Sequence, residues 1–404
     1  MASVLYISHN GLTEPLGRSQ ILPYLWGLYH RGHRFRVLSY EPEGYIPPKA
    51  AAVPGSHIFE IRSRGEGLLD KIKDFHHGVE AALHSPGFDG QKIDLIHCRS
   101  YLPTALGMWA REKGKLHGAK LIFDMRGFLP QEYLDCGHWK VTDFRYLISK
   151  VFEAQLLAQV DGVVVLTERA RFLVCEWYRA VDMRPPPIRV IPCCVDMDAF
   201  RRDEIAGSAV KAGLGFQGPV MVYSGSLGSW YMAREMASVY AKLRSVTPSL
   251  CFLVLTQSNV DLMTDELSLL GVLDEQVYIT RCVYEEVPAY LSAADLGISF
   301  VRPAPSKAAS SPTKVAEYLS CGLFVLTNSG VGDIDQIARG FPHIHVMNDL
   351  SEEAMTKFAG SFCWDHVRRD AVRDDCREFA RVNFDLEGVG VSRYDSFYHE
   401  IIET

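Results

Sequence analysis

Short runs of consecutive apolar residues alternate along the chain with segments in which apolar residues recur every three or four positions. The run SVLYISH predicts a strand, ILPYLWGLYHRGH predicts a helix ending at Gly32, and FRVLSYE predicts the next strand. Apolar strands without alternation are typical of parallel sheets that are covered on both faces. The opening of the chain therefore predicts a β-α-β unit.

The same alternation continues to the strand IRVIPCCVD and resumes with PVMVYSGSLG, after a polar stretch. At 404 residues the chain exceeds what one core usually organises, so two domains of about 200 residues are expected. We predict an α/β fold of two doubly wound, Rossmann-like domains, with ligand crevices at the C-terminal ends of the strands. The predicted divisions are residues 1–197, 198–375 and a helical C-terminal segment, 376–404.

Composition is that of an ordinary globular protein, with 48% hydrophobic and 23% charged residues. No apolar run approaches the roughly 20 residues that span a bilayer, and no signal peptide pattern precedes the first strand. The ten cysteines include no C-x-x-C pair, which argues against a zinc site or a redox dithiol. These features predict a cytoplasmic protein with free thiols.

Charge is distributed unevenly. Residues 1–195 hold 24 Lys and Arg against 20 Asp and Glu, whereas the remainder holds 18 against 29. Two explanations stay open. Either the surface charge of the two domains differs without functional meaning, or the N-terminal domain meets an anionic partner such as a membrane surface or a phosphorylated lipid. Nucleic acid is not expected, because no basic stripe with interleaved aromatic residues is present.

The segment SSPTKVAEY carries the most chemistry. Ser311 is predicted as a helix N-cap, with Pro312 and Thr313 opening the first turn, so that free N–H groups and the helix dipole favour a phosphate. Lys314 adds a positive charge, and Glu317 follows one turn later on the same face, where a carboxylate can accept hydroxyl hydrogen bonds from a ribose. The alternative is an ordinary capped helix with a solvated Lys and Glu.

The run PTKVAEYLSCGLFVLTNSGVGD, from Pro312, resembles the donor-binding signature of family 4 glycosyltransferases of the GT-B fold, as found in bacterial cell-envelope and polysaccharide synthesis. Three further segments agree in the same order: QVDGVVVLTERAR from Gln159, IPCCVDMDAF from Ile191 and VPAYLSAADLGIS from Val287. NGLTEPLGR, from Asn10, is similar to the glycine loop that opens these enzymes. The resemblance covers nearly the whole chain.

The resemblance implies roles for particular residues. Glu317 matches the ribose-binding glutamate, and Lys314 lies where a cation reaches the diphosphate. Gly225, followed by Ser226, matches the turn whose glycine lets the backbone approach the phosphates. The loop from Gly11 to Gly17 would close over the donor from the other domain.

Two positions depart from the family pattern. Many relatives carry a second glutamate eight residues before the ribose-binding one, where this chain has Ala309. The relatives also follow the first C-domain strand with an Arg and a Lys, which are absent here. Arg302 and Lys307 are the candidates for supplying that charge.

On the acceptor side, the resemblance places a His or acidic residue where this chain reads FDMRGF. Asp124 or Arg126 could orient the acceptor hydroxyl or an anionic group on it. Either residue could equally have a structural role at the end of a strand.

A D-x-D sequence formed by Asp196 and Asp198 lies in the interdomain hinge motif. In the other large glycosyltransferase fold such a pair chelates a divalent metal. Because the predicted helix start already supplies positive charge, no metal or other cofactor is expected, and a chelator should leave activity intact.

The expected function is a retaining, metal-independent transfer of a hexose-like sugar from a nucleotide diphosphate sugar to a glycan or lipid-linked acceptor in cell-surface polysaccharide synthesis. The resemblance also implies a terminal helix that crosses back to the N-terminal domain. That domain, net positive by the count above, would then face an anionic, lipid-linked acceptor at the inner face of the membrane. Two alternatives stay open: a nucleotide-sugar epimerase of the same fold, and a catalytically silent nucleotide-sugar binding subunit.

Overall fold

A computed structural model describes residues 1–41, 57–62, 73–78, 80, 92–113, 116–228 and 230–404. The chain forms two compact units. Unit 1 consists of Met1–Pro192, Pro305–Ser310 and Leu386–Thr404, and unit 2 consists of Cys193–Ala304 and Ser311–Asp385. The chain therefore returns briefly to unit 1 in the middle of unit 2, which the hydrophobic pattern did not predict.

Within the described residues, unit 1 holds a seven-stranded parallel sheet in the order β3-β2-β1-β4-β5-β6-β7. Its strands are β1 (Ser3–Ser8), β2 (Arg34–Glu41), β3 (His57–Arg62), β4 (Leu95–Arg99), β5 (Lys120–Asp124), β6 (Gly162–Val165) and β7 (Ile188–Val190). Its helices include α1 (Pro15–Gln20), α2 (Leu22–His30), α3 (Tyr101–Lys113), α4 (Leu129–Asp135), α5 (Phe144–Gln159) and α6 (Glu168–Ala180).

Unit 2 holds a six-stranded parallel sheet, ordered β10-β9-β8-β11-β12-β13 in the part that the structure describes. Its strands are β8 (Val220–Ser224), β9 (Cys251–Leu255), β10 (Val277–Thr280), β11 (Leu296–Ser299), β12 (Phe324–Asn328) and β13 (Ile344–Met347). Its helices are α7 (Glu204–Leu214), α8 (Ala233–Val246), α9 (Val260–Leu269), α10 (Val287–Ser292), α11 (Thr313–Ser320), α12 (Ile334–Ile337), α13 (Glu352–Ser361), α14 (Trp364–Val367) and α15 (Asp370–Phe384).

Both sheets are doubly wound, because strand order reverses beside β1 in unit 1 and beside β8 in unit 2. Two apolar clusters in unit 2 draw alternate residues from β8, such as Val222 for one and Tyr223 for the other, as expected for a sheet covered on both faces. In such sheets ligands bind at the carboxyl ends of the strands, next to the reversal. The predicted α/β architecture is confirmed.

The C-terminal helices divide between the units. Helix α15 packs into the core of unit 2 through Cys376 and Phe384, so residues 376–385 lie with unit 2 and not with the terminal segment of the sequence prediction. Helix α16 (Ser392–Glu403) belongs to unit 1, where Phe397 and Ile401 are buried. A Cβ atom at Gly162 would lie 2.7 Å from Cδ1 of Ile401, so glycine allows α16 to pack closely here.

In the described ranges, no helix combines the length and the hydropathy needed to cross a membrane.

Candidate functional site

In unit 2, Lys314 lies in the first turn of α11, with its ammonium group enclosed by aromatic rings. Its Nζ donates to the Tyr223 hydroxyl over 3.2 Å, and it lies 4.3 Å from the centre of that ring and 4.0 Å from the centre of the Tyr231 ring. Burial lowers the pKa of Lys314, and the nearby Glu317 only partly opposes that shift. The group is thus a desolvated cation for which an anionic ligand would be a favourable partner.

Gly225 follows β8 with a φ of +136°, a conformation that favours glycine. A Cβ atom at this position would lie 2.7 Å from Nζ of Lys314, so glycine also leaves room for the ammonium group. The neighbouring Ser226 is exposed, and its carbonyl accepts a hydrogen bond from the Tyr223 hydroxyl. The structure thereby brings Gly225, Ser226 and Lys314 together at the carboxyl end of β8.

Glu317 lies one turn further along α11 and is 7% exposed. Burial raises the pKa of Glu317, while Lys314 and a hydrogen bond from the Tyr284 hydroxyl act in the opposite direction. A buried carboxylate of this kind is best stabilised by further hydrogen-bond donors. Two hydroxyl groups of a ligand would supply them.

The predicted N-cap of α11 is wrong by one residue. The helix begins at Thr313 with Pro312 as N-cap, and no side chain caps it. The Ser311 hydroxyl instead accepts from the backbone N–H of Cys193 over 3.1 Å. Because the first-turn N–H groups of a helix have no carbonyl partner within it, Thr313 and Lys314 still present donors where an anion could bind.

The two candidate replacement cations lie in different units. Arg302 is exposed in unit 2, follows β11, and places its guanidinium carbon 4.8 Å from the centre of the Trp230 ring. Lys307 belongs to unit 1, where its Nζ is 3.0 Å from Oε1 of Glu132. Lys307 therefore already has a carboxylate partner.

The segment Pro305–Ser310, which carries Lys307, is held firmly to unit 1. The Asp135 carboxylate accepts from the N–H of Ser306 over 2.8 Å, and the Thr167 hydroxyl donates to the carbonyl of Ala308 over 2.6 Å. Ala309 is buried in the apolar core of this unit. Apolar packing thus occupies the position where relatives carry a glutamate.

In unit 1, the loop after β1 is fixed by Glu41 at the end of β2. Its carboxylate accepts from the N–H of Leu12 over 2.7 Å and from the Thr13 hydroxyl. A Cβ at Gly17 would lie 2.0 Å from the carbonyl oxygen of Gly11. Both glycines therefore have a packing role, and Glu41 is a positioning residue that the sequence reasoning missed.

Asp124 lies at the end of β5 and is fully buried. Its Oδ2 accepts from the Tyr394 hydroxyl over 2.8 Å and lies 3.5 Å from Nε2 of His97. Burial alone would raise the pKa of Asp124, but Arg126, His97 and Arg99 together lower it to about 2. These contacts join α16 to the sheet and favour a structural role for Asp124 over contact with the acceptor.

Arg126 has a φ of +59°, in the left-handed region that non-glycine residues seldom adopt. Its NH1 lies 3.8 Å from Oδ2 of Asp124, and its side chain is 12% exposed. Backbone strain of this kind is often retained at functional sites. Arg126 remains the better acceptor-side candidate of the pair.

Across the residues that the structure describes, no three His, Cys, Asp or Glu side chains converge as metal ligands. In the D-x-D sequence, Oδ1 of Asp196 accepts from the N–H groups of Asp198 and Ala199, as in a local turn. Metal independence stays a prediction.

Residues 22–194 match the family described as glycosyl transferase 4-like domain. Among solved structures, the chain is similar to sucrose-phosphate synthase from Thermosynechococcus elongatus, at 14% identity, a TM-score of 0.72 and 100% coverage of both chains. HepE of Anabaena, in complex with UDP and glucose, gives 13% identity, a TM-score of 0.71 and 100% coverage of both. WaaG, a glycosyltransferase involved in lipopolysaccharide biosynthesis, gives 16% identity and a TM-score of 0.69, with 98% of this chain and 99% of that chain covered.

These structures share the GT-B fold, and the family match covers most of unit 1. The chain is a glycosyltransferase of the GT-B fold with a family 4-like N-terminal domain. No curated protein sequence matches it significantly.

Sequence reasoning missed several residues of this candidate site, because their importance depends on tertiary contacts. Tyr223, Tyr231 and Tyr284 surround Lys314 and Glu317, yet in the sequence they are ordinary aromatic residues. Tyr223 alone had a usable signal, since it ends an apolar strand directly before a glycine turn.

We expect Asp124→Asn to destabilise the enzyme by on the order of 2 kcal/mol at neutral pH. Because the pKa of Asp124 is lowered in the folded state, its contribution is present above about pH 4 and is lost as pH falls towards 2. Urea unfolding between pH 2 and 7 should therefore show a shallower acid decline for the variant. Asp265→Asn, an exposed position on α9, is the control, and identical curves for both variants would contradict the assignment.

Proposed function

We propose that this glycosyltransferase moves a sugar from a nucleotide diphosphate sugar to a glycan or lipid-linked acceptor, with retention at the anomeric carbon. The observation that carries the proposal is the pairing of Lys314 and Glu317 on successive turns of α11. One is a desolvated cation at a helix start and the other a buried carboxylate, and a nucleoside diphosphate offers a partner for each. HepE, which shares the fold, was solved in complex with UDP and glucose.

The Lys314 ammonium group and the first-turn N–H groups of α11 would bind the diphosphate. Negative charge develops on this group as the bond to the sugar breaks, so preorganised positive charge in a buried setting lowers the barrier. Binding of the diphosphate also favours the protonated form of Lys314, which offsets the effect of burial on its pKa.

The acceptor would attack the same face of the sugar from which the diphosphate leaves, and a phosphate oxygen would take the acceptor proton. This scheme uses no enzyme carboxylate as nucleophile. Ala309, in place of the second family glutamate, is compatible with it. Arg126, at the carboxyl end of β5, would contact the acceptor or an anionic group on it.

A role in cell-surface polysaccharide synthesis, at the cytoplasmic face of the membrane, belongs to the same proposal. It is supported by the similarity to WaaG, which takes part in lipopolysaccharide biosynthesis, and by the fold that the two proteins share.

A transfer assay tests the proposal. A thermal-shift panel of nucleotide sugars first identifies the donor, because a ligand that binds the native state raises its melting temperature. With that donor, we expect nucleoside diphosphate release to depend on an added glycan or lipid-linked acceptor, and to continue in the presence of a chelator. NMR of the product should show the anomeric configuration of the donor. Epimerised donor without acceptor would instead identify an epimerase, and donor binding without turnover a silent binding subunit.

Glu317→Ala removes charge-assisted hydrogen bonds to the donor, each worth about 1.5 to 3 kcal/mol. We expect donor affinity, measured by calorimetry, to fall at least about tenfold while the far-UV circular dichroism spectrum is unchanged. Glu353→Ala, at an exposed position on α13, serves as the control. Normal donor binding by Glu317→Ala would show that this carboxylate does not hold the ribose.

A matched set of three variants tests whether Arg302 or Lys307 is the cation that contacts the donor phosphates. We expect Arg302→Ala to raise the donor KM by about tenfold, through loss of a charge-assisted contact to the phosphates. Lys307→Ala and Glu132→Ala should share a lower melting temperature and leave the KM unchanged, because each removes one half of the same ion pair. A KM that rises for Lys307→Ala and not for Glu132→Ala would instead place Lys307 on the donor.

A further inference from the structure

Unit 2 contains a cavity of about 360 Å³ at the edge of its sheet where the parallel strands begin. Asp295, which lines the cavity, directly precedes β11, and its Oδ2 accepts from the N–H of Val220, the first residue of β8, over 3.0 Å. The candidate donor site lies at the other end of β8, roughly 13 Å away at about 3.3 Å per residue. The cavity is therefore separate from that site, and its volume is within the range of small-molecule sites.

Positively charged side chains dominate this cavity, which we call the basic cavity. Its lining includes four cations and two carboxylates: Arg202, Lys211, Arg368, Arg373, Glu204 and Asp295. Helices α7 and α15, with the segments just before them, contribute all four cations. The lining thus has an excess of two positive charges. A phosphate group with both acidic protons removed carries two negative charges, which would balance that excess.

Each of the two carboxylates is shared between two guanidinium groups. Oε1 of Glu204 lies 2.6 Å from Nε of Arg202 and 3.1 Å from NH1 of Arg373. Oδ1 of Asp295 lies 3.3 Å from NH2 of Arg373 and 3.4 Å from Nε of Arg368. Three guanidinium groups therefore draw on one oxygen atom from each carboxylate. These ion pairs hold the cations together without neutralising them.

Arg373 has one further carboxylate partner, outside the lining. Oδ1 of Asp370 lies 4.0 Å from NH1 of Arg373, but the Asp370 side chain is 97% exposed, so water screens its charge. Burial and the neighbouring Arg202 lower the pKa of Arg373, whereas the nearby carboxylates oppose this shift. The guanidinium group of Arg373 would therefore gain from a nearby anion.

Lys211 is a cation of the basic cavity that has no carboxylate partner. Its Nζ donates to the carbonyl of Gly218 over 2.9 Å, and it forms no ion pair with any residue in the described part of the chain. Burial lowers the pKa of Lys211, Asp295 opposes that shift, and Arg368 and Arg202 add to it. Desolvated cations that repel one another are stabilised by an anion between them.

Several donor groups in the basic cavity are available to such an anion. Arg368 uses only Nε in its ion pair, and Arg202 uses only Nε and NH1. Towards the residues that the structure describes, NH1 and NH2 of Arg368 and NH2 of Arg202 make no hydrogen bond. Lys211 has two further N–H groups beyond the one that reaches Gly218. Guanidinium forks and ammonium groups are the side chains that bind phosphate oxygens best.

A second cavity, of about 450 Å³, neighbours the basic cavity. The two share three lining residues: Arg202, Glu204 and Arg373. The second cavity adds the exposed carboxylates of Asp370 and Asp374 and the guanidinium group of Arg201, whose exposed side chain has no partner among the described residues. Donors and acceptors side by side suit hydroxyl groups, because a hydroxyl both donates and accepts.

We propose that the basic cavity is a second anion site of unit 2, which binds the phosphate group of a phosphorylated polyol. Arg368, Lys211 and Arg202 bind the phosphate oxygens, and the hydroxyl groups of the polyol extend into the neighbouring cavity. This site lies beyond the proposed function, because it uses neither the donor nor the residues that would hold it.

Titration calorimetry at pH 8, where both probes are doubly charged, tests the proposal. The probes are inorganic phosphate and glycerol 3-phosphate, with sodium chloride at equal ionic strength as the blank. We expect the wild-type protein to bind both. Tighter binding of glycerol 3-phosphate would support a phosphorylated polyol as the ligand, whereas equal binding would support the same anion site with free phosphate as its ligand. Lys211→Met/Arg368→Met should bind either probe at least about tenfold more weakly.

Arg339→Met/Lys357→Met is the matched control. It removes the same two charges from exposed positions of unit 2 that do not line the basic cavity, and it should bind both probes as the wild type does. Arg368→Met alone is the milder variant, to be used if circular dichroism shows that the double variant is unfolded, and its affinity should fall in the same direction. No binding by the wild type, or an equal loss in the control, would overturn the proposal.

The same titrations with Lys314→Met separate this site from the candidate donor site, where a phosphate could also bind. We expect Lys314→Met to keep the binding that Lys211→Met/Arg368→Met weakens. Binding that is lost with Lys314→Met and survives in the double variant would place the anion at α11 and overturn the proposal. Because no nucleotide sugar is present, the result does not depend on whether the proposed function is correct.

Discussion

The cost of burying charge without a partner is the constraint on which the rest of unit 2 depends. Lys314 is held among the rings of Tyr223 and Tyr231, where water cannot solvate its ammonium group well, and Gly225 leaves the space that it occupies. Removing ions from water is costly unless counter-charges and hydrogen bonds replace the solvent. In the proposed function, a diphosphate would supply the missing counter-charge and hydrogen bonds, and this difference would favour its binding.

In unit 1, by contrast, two buried carboxylates have hydrogen-bond donors within the protein itself. Glu41 and Asp124 each accept hydrogen bonds from the chain itself, Glu41 from the loop after β1 and Asp124 from Tyr394 on α16. Both lie at carboxyl ends of strands, where sequence reasoning expects ligand-binding residues. Through these hydrogen bonds, they position a loop and a terminal helix. The location of a charged residue therefore suggests a site, but its partners decide between binding and structure.

The sequence predicted the features that depend on local pattern. Unbroken apolar strands gave both parallel sheets, and the spacing of Lys314 and Glu317 placed them on one helix face. It did not predict the tyrosines around them, because tertiary packing selects those. It misplaced the N-cap at Ser311 because the Cys193 N–H, distant in sequence, takes that hydroxyl. It also could not show that residues 376–385 belong to unit 2, because the packing of α15 into that core is a tertiary contact.

The short return of the chain to unit 1 gives a physical reason for the departure at Ala309. Pro305–Ser310 is bound to unit 1 by Asp135 and Thr167, and Ala309 is 3% exposed within an apolar cluster. A glutamate there would bring a carboxylate into that cluster, and burial without a hydrogen-bond partner would cost several kcal/mol or force the group to be neutral. Lys307 already forms an ion pair with Glu132, so it is a weaker candidate than Arg302 for the cation that contacts the diphosphate. The small residue at 309 and the paired cation at 307 are thus two consequences of the same packing.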